Sequence, residues 1–267
     1  MTIGIQGVFD FEQERSAPAA TARKPRLLDL YSAAGGASRG YHRAGFDVVG
    51  VDIAEQPDYP FEFHRGDAIE FLRAHGHEFD AIAASPPCQA SCTLTKGTNR
   101  GREYPQLIPA TRDALNLVGK PWVIENVQGA ALRRDVVLCG EMFGLGVIRH
   151  RVFELGGWSA FQPEHVPHRG RVAGCRHGQW HDGPYFAVYG DGGGKGSVAD
   201  WQRAMGIDWT TDRRSLAEAI PPAYTEWIGH QLRQVISPRV RPSMSRPHSS
   251  PKRHSTTRGT RTDQRRR

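Results

Sequence analysis

Short apolar runs bounded by turn residues recur along the first two thirds of the chain. RLLDLYS begins at Arg26, DVVGVDI ends at Ile53, and FDAIAAS occupies residues 79–85. PWVIENV, DVVLCGEMFGL and RHRVFEL are three further strand-like segments. Continuous apolar runs of this length are typical of strands that are buried on both faces of a parallel sheet.

Helix-like segments alternate with these runs, as in GYHRAGF and in QLIPATRDALNLV, residues 106–118. This alternation predicts βαβ units and an α/β fold with a doubly wound, mostly parallel sheet. The pattern stops after Gly157, because residues 158–202 are rich in Gly, His and Trp and have no clear period. We therefore expect a small inserted subdomain there. Helical periodicity returns in WQRAMGIDW and RRSLAEAIPPAYTEWIGHQLRQVI.

Composition narrows the class of protein. No run of 18 apolar residues occurs and the N-terminus lacks a signal-peptide pattern, so we expect a cytoplasmic protein without membrane association. The cysteines Cys88, Cys92, Cys139 and Cys175 are too sparse for a disulfide framework and are expected to be reduced thiols.

A glycine-rich turn follows the first apolar run. Gly35 and Gly36 stand between an expected strand and helix, where the backbone can approach a polar cofactor closely. The next strand ends at Asp52, where nucleotide-binding α/β folds place a carboxylate on the ribose hydroxyls. Asp67 follows the expected third strand, near an adenine edge. Tight turns with solvated carboxylates would give a similar pattern, but the three positions together indicate an adenosine-type cofactor.

The run AIAASPPCQ ends a strand on Pro86-Pro87 and then presents Cys88. Open α/β sheets bind ligands at the carboxyl ends of their strands. A thiol at this position is either a small buried apolar group or a nucleophile. Cys92 completes a CxxxC pair, which is a poor zinc pattern without two further close ligands.

The carboxylate in IENV favours the nucleophile. Glu125 also ends a strand, so we expect it on the same rim as Cys88. A thiolate that faces a carboxylic acid suits covalent catalysis on a ring that must be protonated as it is attacked. In RHR, Arg149 and Arg151 share one face of an extended segment. Two such arginines can hold a carbonyl oxygen, a phosphate and the neighbouring acid.

In this order, DLYSAAGG, VDI, GD, SPPCQ, ENV and RHRVFE resemble the motifs of the DNA cytosine carbon-5 methyltransferase family. The match covers about residues 26–157, with a weaker echo in AEAIPPAYTEWIG, and the short recognition segment resembles that of phage-type members. The resemblance implies a Rossmann-like fold, S-adenosyl-L-methionine as cofactor, and double-stranded DNA as partner, with the target base flipped out of its stack.

The resemblance also implies residue roles. Cys88 would add to carbon 6 of cytosine, and Glu125 would hydrogen-bond or protonate ring nitrogen 3. Arg151 would contact the base oxygen, and Arg149 would support the site. The residues expected around the cofactor are Asp29, Tyr31, Ser32, Gly35, Gly36, Asp52, Ile53, Asp67, Ala68 and Pro87.

With these roles, residues 25–157 are expected to be the first part of the catalytic domain and 158–202 a target-recognition insertion. Residues 203–236 should pack back on the catalytic domain, and residues 1–24 and 237–267 should be disordered. The last segment holds ten Lys and Arg against one Asp, a net +9 that leaves the rest of the chain at −2. It is either a solvated extension or a nonspecific nucleic-acid arm.

Two alternatives to the leading interpretation stay open. One is an RNA cytosine methyltransferase, since a related tRNA enzyme shares Pro-Pro-Cys-Gln. The other is a DNA-binding relative that has lost catalysis. No metal is expected, because the spacing of the candidate ligands His165, His168, Cys175, His177 and His181 is irregular. We expect a monomer in a bacterial or phage-infected host cell.

Overall fold

A computed structural model describes residues 23–87, 106–189 and 196–236 of the chain. Cys88 and Cys92 lie outside these ranges, as does the basic segment 237–267. Residues 1–22 of the expected disordered N-terminal segment also lie outside them, so both expectations of disorder stay predictions.

The strands of the described residues form a seven-stranded sheet and a separate hairpin. The strands are β1 (Arg26–Leu30), β2 (Asp47–Asp52), β3 (Glu62–Arg65), β4 (Ala81–Ala84), β5 (Trp122–Asn126), β6 (Val136–Leu138), β7 (Arg151–Gly156), β8 (Gly174–Arg176) and β9 (Gln179–His181). The order in the sheet is β3-β2-β1-β4-β5-β7-β6. The first five strands in this order are parallel, and β7 is antiparallel to both its neighbours, β5 and β6.

Helices flank the sheet and begin at polar caps that the sequence supplies. The Asp67 side chain caps α2, Ser197 caps α4 in a reciprocal box with Asp200, and Asp212 caps α5. The helices are α1 (Gly36–Arg43), α2 (Ala68–His75), α3 (Leu107–Val118), α4 (Val198–Met205), α5 (Arg213–Glu218) and α6 (Pro222–Ile236).

Both faces of the sheet are apolar, as the uninterrupted runs predicted. Along β1, Leu27 packs in the layer that contains α1 and α6, whereas Leu28 and Leu30 pack in the layer that contains α2 and α3. Successive side chains of a strand point to opposite faces, so this alternation buries the strand on both sides. The doubly wound, mostly parallel α/β architecture is confirmed.

The strand order reverses between β1 and β4, since β2 lies on one side of β1 and β5 on the far side of β4. The crevice outside the carboxyl ends of these two strands is where open sheets bind ligands. The glycine-rich turn follows β1 and the Pro-Pro segment follows β4. The topology therefore brings both sequence motifs to one crevice.

One predicted strand is much shorter than its apolar run. In DVVLCGEMFGL only Val136–Leu138 is extended, and a 3₁₀ turn over Gly140–Phe143 follows. A Cβ at Gly140 would lie 2.1 Å from the carbonyl oxygen of Val147, and Gly144 has a φ of +66°. These two glycines let the chain turn back on itself, which a continued strand would not allow.

The predicted insertion holds the hairpin β8–β9 between irregular stretches. Its last part packs with the C-terminal helices, because Val188 shares an apolar cluster with Trp201 and Leu216. Helix α4 spans the predicted boundary at residue 202. Among the described residues, no helix is long and apolar enough to cross a membrane.

The chain leaves β7 at Gly156, which pairs with Trp122 at the start of β5. Residues 157–168, the return segment, then run back beside the edge strand β6. The Gln162 side chain accepts a hydrogen bond from the Val137 N–H at 2.7 Å and donates one to the Val137 carbonyl at 3.0 Å. The return segment thus brings the insertion back toward the carboxyl end of β5.

Candidate active site

In the turn after β1, the backbone of two glycines packs so closely against neighbouring segments that no side chain would fit. Gly35 has a φ of +83°, and a Cβ there would lie 2.9 Å from the ring of Pro60. A Cβ on Gly36 would lie 2.5 Å from the carbonyl oxygen of Ile220. Tyr31 and Ala33 also adopt positive φ, which L-residues rarely do. The late AIPP motif therefore packs directly on the glycine turn.

Asp52 joins this turn to the end of β2. One of its carboxylate oxygens accepts from the Ala33 N–H and the other from the Ala54 N–H, both at 3.0 Å. Each oxygen has a further lone pair with which it can accept from a ligand hydroxyl. The next side chain, Ile53, is 69% exposed and presents an apolar surface beside the carboxylate.

Tyr31 and Asp67 follow β1 and β3, which are parallel strands that end at the same edge of the sheet. Asp67 Oδ1 accepts from the N–H groups of Ile69 and Glu70, both at 2.9 Å, and so begins α2, whose first residue Ala68 is buried. The Tyr31 hydroxyl is hydrogen-bonded to Thr111 at 2.9 Å. Burial raises the pKa of Tyr31, the hydrogen bond with Thr111 lowers it, and the charge of Asp67 raises it.

Asp29 is fully buried on the α1 side of β1. The Ser38 hydroxyl donates to its Oδ2 and also contacts the Tyr59 hydroxyl at 2.8 Å. Burial raises the pKa of Asp29 to about 7, although the Ser38 hydrogen bond opposes the rise. Within the described residues, Asp29 Oδ1 and the buried hydroxyl of Ser32 have no hydrogen-bond partner. Two polar atoms near the crevice are thus left with unused capacity.

Glu125 is 7% exposed at the end of β5. Its Oε1 lies 2.8 Å from Arg151 Nε. Burial raises the pKa of Glu125, while the charges of Arg151 and Arg149 and a hydrogen bond with Ser85 oppose that rise. The net effect is a carboxyl group that keeps its proton to a higher pH than usual, which suits a general acid.

Asn126 connects the end of β5 to the segment after β4. Its side-chain N–H₂ donates to the Pro86 carbonyl at 2.8 Å, and its side-chain oxygen accepts from the Val127 N–H at 2.9 Å. Pro87 is the last described residue before the gap. The structure therefore brings Pro86 and Glu125 to one rim. The prediction that Cys88 shares this rim concerns a residue outside the described ranges.

The two arginines of RHR diverge. Arg151 pairs with Glu125, whereas Arg149 donates to the carbonyls of Val188 at 2.8 Å and Ala217 at 2.6 Å. The Tyr224 hydroxyl donates to the Arg149 carbonyl at 2.6 Å. Arg149 thus joins the end of the insertion to the segment before α6.

Sequence reasoning did not select Ser38, Tyr59 or Asn126. Tyr59 had a signal: a Cβ on Gly50, in the middle of β2, would lie 2.3 Å from its ring. A glycine inside a strand often marks such a close approach. Asn126 stood within the ENV motif but was not assigned a role. Ser38 carried no signal in the sequence.

Comparison with known proteins extends this description. No family model matches the chain. Over 147 residues it is 25% identical to the type II methyltransferase M.FnuDI of Fusobacterium nucleatum. The alignment covers 51% of this chain but only 40% of that relative, so the chain matches less than half of the relative's length.

Two solved structures share the architecture. The Dnmt2 methyltransferase of S. pombe superposes with a TM-score of 0.56 at 14% identity, covering 80% of this chain and 100% of that one. A protein assigned as a DNA modification methyltransferase within an E. coli prophage gives 0.54 at 14% identity, covering 79% and 99%. At this level of identity the similarity is one of fold. The chain therefore has the Rossmann-like fold of these methyltransferases.

Proposed function

We propose that this chain is a DNA cytosine carbon-5 methyltransferase that uses S-adenosyl-L-methionine. The observation that carries the proposal is the environment of Glu125. This buried carboxyl group is paired with Arg151, and its neighbour Asn126 holds the Pro86 carbonyl at 2.8 Å. Cys88 comes two residues after Pro86. An acid and a thiol near one rim are what addition to a pyrimidine ring requires.

In the proposed reaction the Cys88 thiolate forms a bond to carbon 6 of a flipped cytosine. Glu125 in its protonated form donates to ring nitrogen 3 and so neutralises the charge that addition creates. Carbon 5, now electron-rich, would form a bond to the methyl carbon that S-adenosyl-L-methionine supplies, while the bond from that carbon to the sulfonium sulfur breaks and leaves a neutral thioether. Loss of the carbon 5 proton to a base, expulsion of Cys88 and return of the nitrogen 3 proton to Glu125 restore the aromatic ring.

The arginines fit supporting parts in this chemistry. Arg151 lies against Glu125 and would orient the carboxyl group while a free N–H of its fork contacts the base oxygen. Arg149 would hold the recognition insertion and the C-terminal segment in place through its bonds to two backbone carbonyls. The proposal thus separates one arginine that meets the base from one that positions its surroundings.

The crevice residues fit the cofactor. Asp52 has lone pairs for the ribose hydroxyls, the exposed Ile53 offers an apolar surface to the adenine, and the Ser32 hydroxyl has unused hydrogen-bonding capacity. Asp29, Tyr31, Gly35, Gly36, Asp67, Ala68 and Pro87 complete the proposed cofactor surroundings. The bound cofactor would supply the electrophilic methyl group. M.FnuDI and the prophage protein, both methyltransferases by name, support this choice.

The test is bisulfite sequencing of DNA from a methylation-deficient bacterial host that expresses the whole chain. We expect methylated cytosines in one short recurring context. Cys88→Ala should abolish them, because the covalent adduct cannot form. A Cys88→Ala protein that methylates fully would overturn the assignment of the nucleophile.

Glu125→Gln is the sharper variant, since it keeps the shape of the side chain but removes its titratable proton. We expect methyl transfer to fall by at least about 100-fold, with cofactor binding by calorimetry unchanged. Asn116→Asp, which alters an amide on α3 away from the rim, serves as control. Unmodified DNA with methylated RNA would favour the RNA enzyme, and cofactor binding without any turnover would favour a lapsed relative.

A further inference from the structure

Three histidines and a cysteine converge on the far side of the RHR segment. Cys139 and His150 come from the catalytic part of the chain, and His165 and His168 come from the return segment. One ligand atom from each of the four side chains lies within 4.8 Å of the other three. Residues 29 positions apart in the sequence are therefore gathered around one small volume.

The closest distances match a four-ligand metal centre. His150 Nε2 lies 3.0 Å from His165 Nε2, and Cys139 Sγ lies 3.4 Å from His168 Nε2. In a tetrahedral zinc site, bond lengths of about 2.0 Å to nitrogen and about 2.3 Å to sulfur separate neighbouring ligand atoms by roughly 3.3–3.6 Å. Small side-chain rotations would bring the four atoms onto such a tetrahedron.

Hydrogen bonding alone does not explain why all four side chains meet at one centre. A neutral imidazole can donate to a second one, and a thiol can bond to a third, so two pairs would be satisfied. Neither bond gives a reason for both pairs to share one centre.

Polar and aromatic neighbours position the cluster from outside. The His168 ring lies edge-on to Tyr185, with centroids 6.1 Å apart. The Tyr185 hydroxyl donates to Glu141, and Arg169, the residue after His168, pairs with Glu141 at 2.7 Å. Supporting contacts of this kind orient the ligands of metal sites.

We propose that Cys139, His150, His165 and His168 bind one structural Zn²⁺ ion. One thiolate and three imidazoles suit zinc, and four protein ligands leave no open position for catalysis. The ion would fasten the return segment to the catalytic part. Because His150 stands between Arg149 and Arg151, it would also fix the backbone that presents both arginines.

The proposed set differs from the ligands considered on the sequence. His165 and His168 were among those candidates, but Cys175, His177 and His181 are absent from the cluster. Cys139 and His150 lie 26 and 15 residues before His165, in the two strand-like segments DVVLCGEMFGL and RHRVFEL. Only the fold brings them together.

The first test measures metal directly in the whole chain, purified without a histidine tag. We expect about one zinc ion per chain by plasma mass spectrometry. His165→Ala/His168→Ala should lose it, whereas His177→Ala/His181→Ala, a matched pair of histidines outside the cluster, should retain it. Equal zinc in the two double variants, or none in the unaltered chain after growth with zinc, would overturn the proposal.

Cobalt gives a second, independent readout. With Co²⁺ alone as the probe, the chain should show a thiolate-to-cobalt absorption band and the intense visible bands of tetrahedral Co²⁺. Cys139→Ser should remove the charge-transfer band, and Cys175→Ser should leave it in place. A band that follows Cys175 instead would contradict the assignment. Circular dichroism of each variant shows whether the fold is kept, so loss of metal is separable from unfolding.

Discussion

The crevice at the ends of β1 and β4 and the insertion are held together by different forces. Around the crevice, buried strands leave so little room that Gly36 and Gly50 admit no Cβ without a clash. The insertion, by contrast, is mostly exposed and depends on a few polar contacts, such as Arg169 with Glu141 and Arg149 with the Val188 carbonyl.

Both regions nevertheless depend on one stretch of chain, residues 139–151. It supplies Arg151 to the acid Glu125, and it supplies Glu141 and Arg149 to the insertion. Dense apolar packing thus fixes the position of the crevice, whereas a few polar anchors and the apolar contacts of its last residues, such as Val188, fix the position of the insertion. Substitutions around the crevice should therefore change the free energy of unfolding of the whole folded part. Substitutions in the insertion should affect only the insertion.

The largest change in stability is expected from Asp29, an ionisable side chain buried in the packed region around the crevice. Asp29 has its pKa raised from 3.8 to about 7 by burial, so the folded state keeps a proton that the unfolded chain has lost. Its contribution to stability is present at low pH and is lost as pH rises to about 7. Relative to the unaltered chain, Asp29→Asn should therefore gain stability by up to about 4 kcal/mol between about pH 4 and about pH 8.

Urea unfolding of both proteins across that range, without cofactor, measures the difference. A stability difference that stays constant with pH would show that Asp29 is ionised in the folded protein. The crevice would then be more polar than its packing indicates.

A smaller effect is expected from helix packing beside the crevice. A Cβ on Gly40 in α1 would lie 2.0 Å from Thr225 Oγ1 and 2.2 Å from the Pro222 carbonyl oxygen of α6. Gly40→Ala should therefore lower the free energy of unfolding by about 3 kcal/mol. Gly66→Ala is the matched control, because nothing lies within 4 Å of its Cβ. Equal thermal midpoints for the two variants would contradict tight packing between α1 and α6.

The smallest effect is expected from a substitution in the insertion, which should destabilise the insertion and leave the rest of the fold unchanged. Tyr185→Phe removes the hydrogen bond to Glu141 and the one from the Arg169 N–H at 2.8 Å. We expect a loss of about 1–2 kcal/mol, seen as faster proteolysis within residues 158–189 with little change in the global midpoint. Trp180→Phe, which removes a 2.6 Å hydrogen bond to Asp182 on the exposed hairpin, should leave proteolysis unchanged. A global loss of stability in Tyr185→Phe would show that the insertion does not unfold independently of the crevice region.

The sheet could be predicted because each of its strands is marked by a local run of apolar residues. In β1, Leu27 faces one side of the sheet and Leu28 and Leu30 face the other, so apolar residues mark both faces of the strand. The strand ends at Asp52 and Glu125 follow directly from where such runs stop. Neighbouring strand ends meet at one edge of a parallel sheet, so strand order alone is enough to explain why the segments after β4 and at the end of β5 lie together.

The insertion was expected from the loss of periodicity, but the contacts that anchor it could not be predicted, because they join distant residues without any periodic pattern. Glu141 meets Tyr185 across 44 positions, and Cys139 meets His168 across 29. The strand predicted through Cys139 ended early for a related reason: Gly140 is required by a contact with Val147, which the local pattern does not reveal.

Gln162 has a consequence for how this protein behaves at high concentration. Among the described strands β6 is an edge strand that pairs only with β7, so the N–H and carbonyl of Val137 would be open to a strand from another molecule. A single side-chain amide occupies both groups. The return segment therefore blocks edge-to-edge pairing at Val137, and it also leads the chain back toward the carboxyl end of β5.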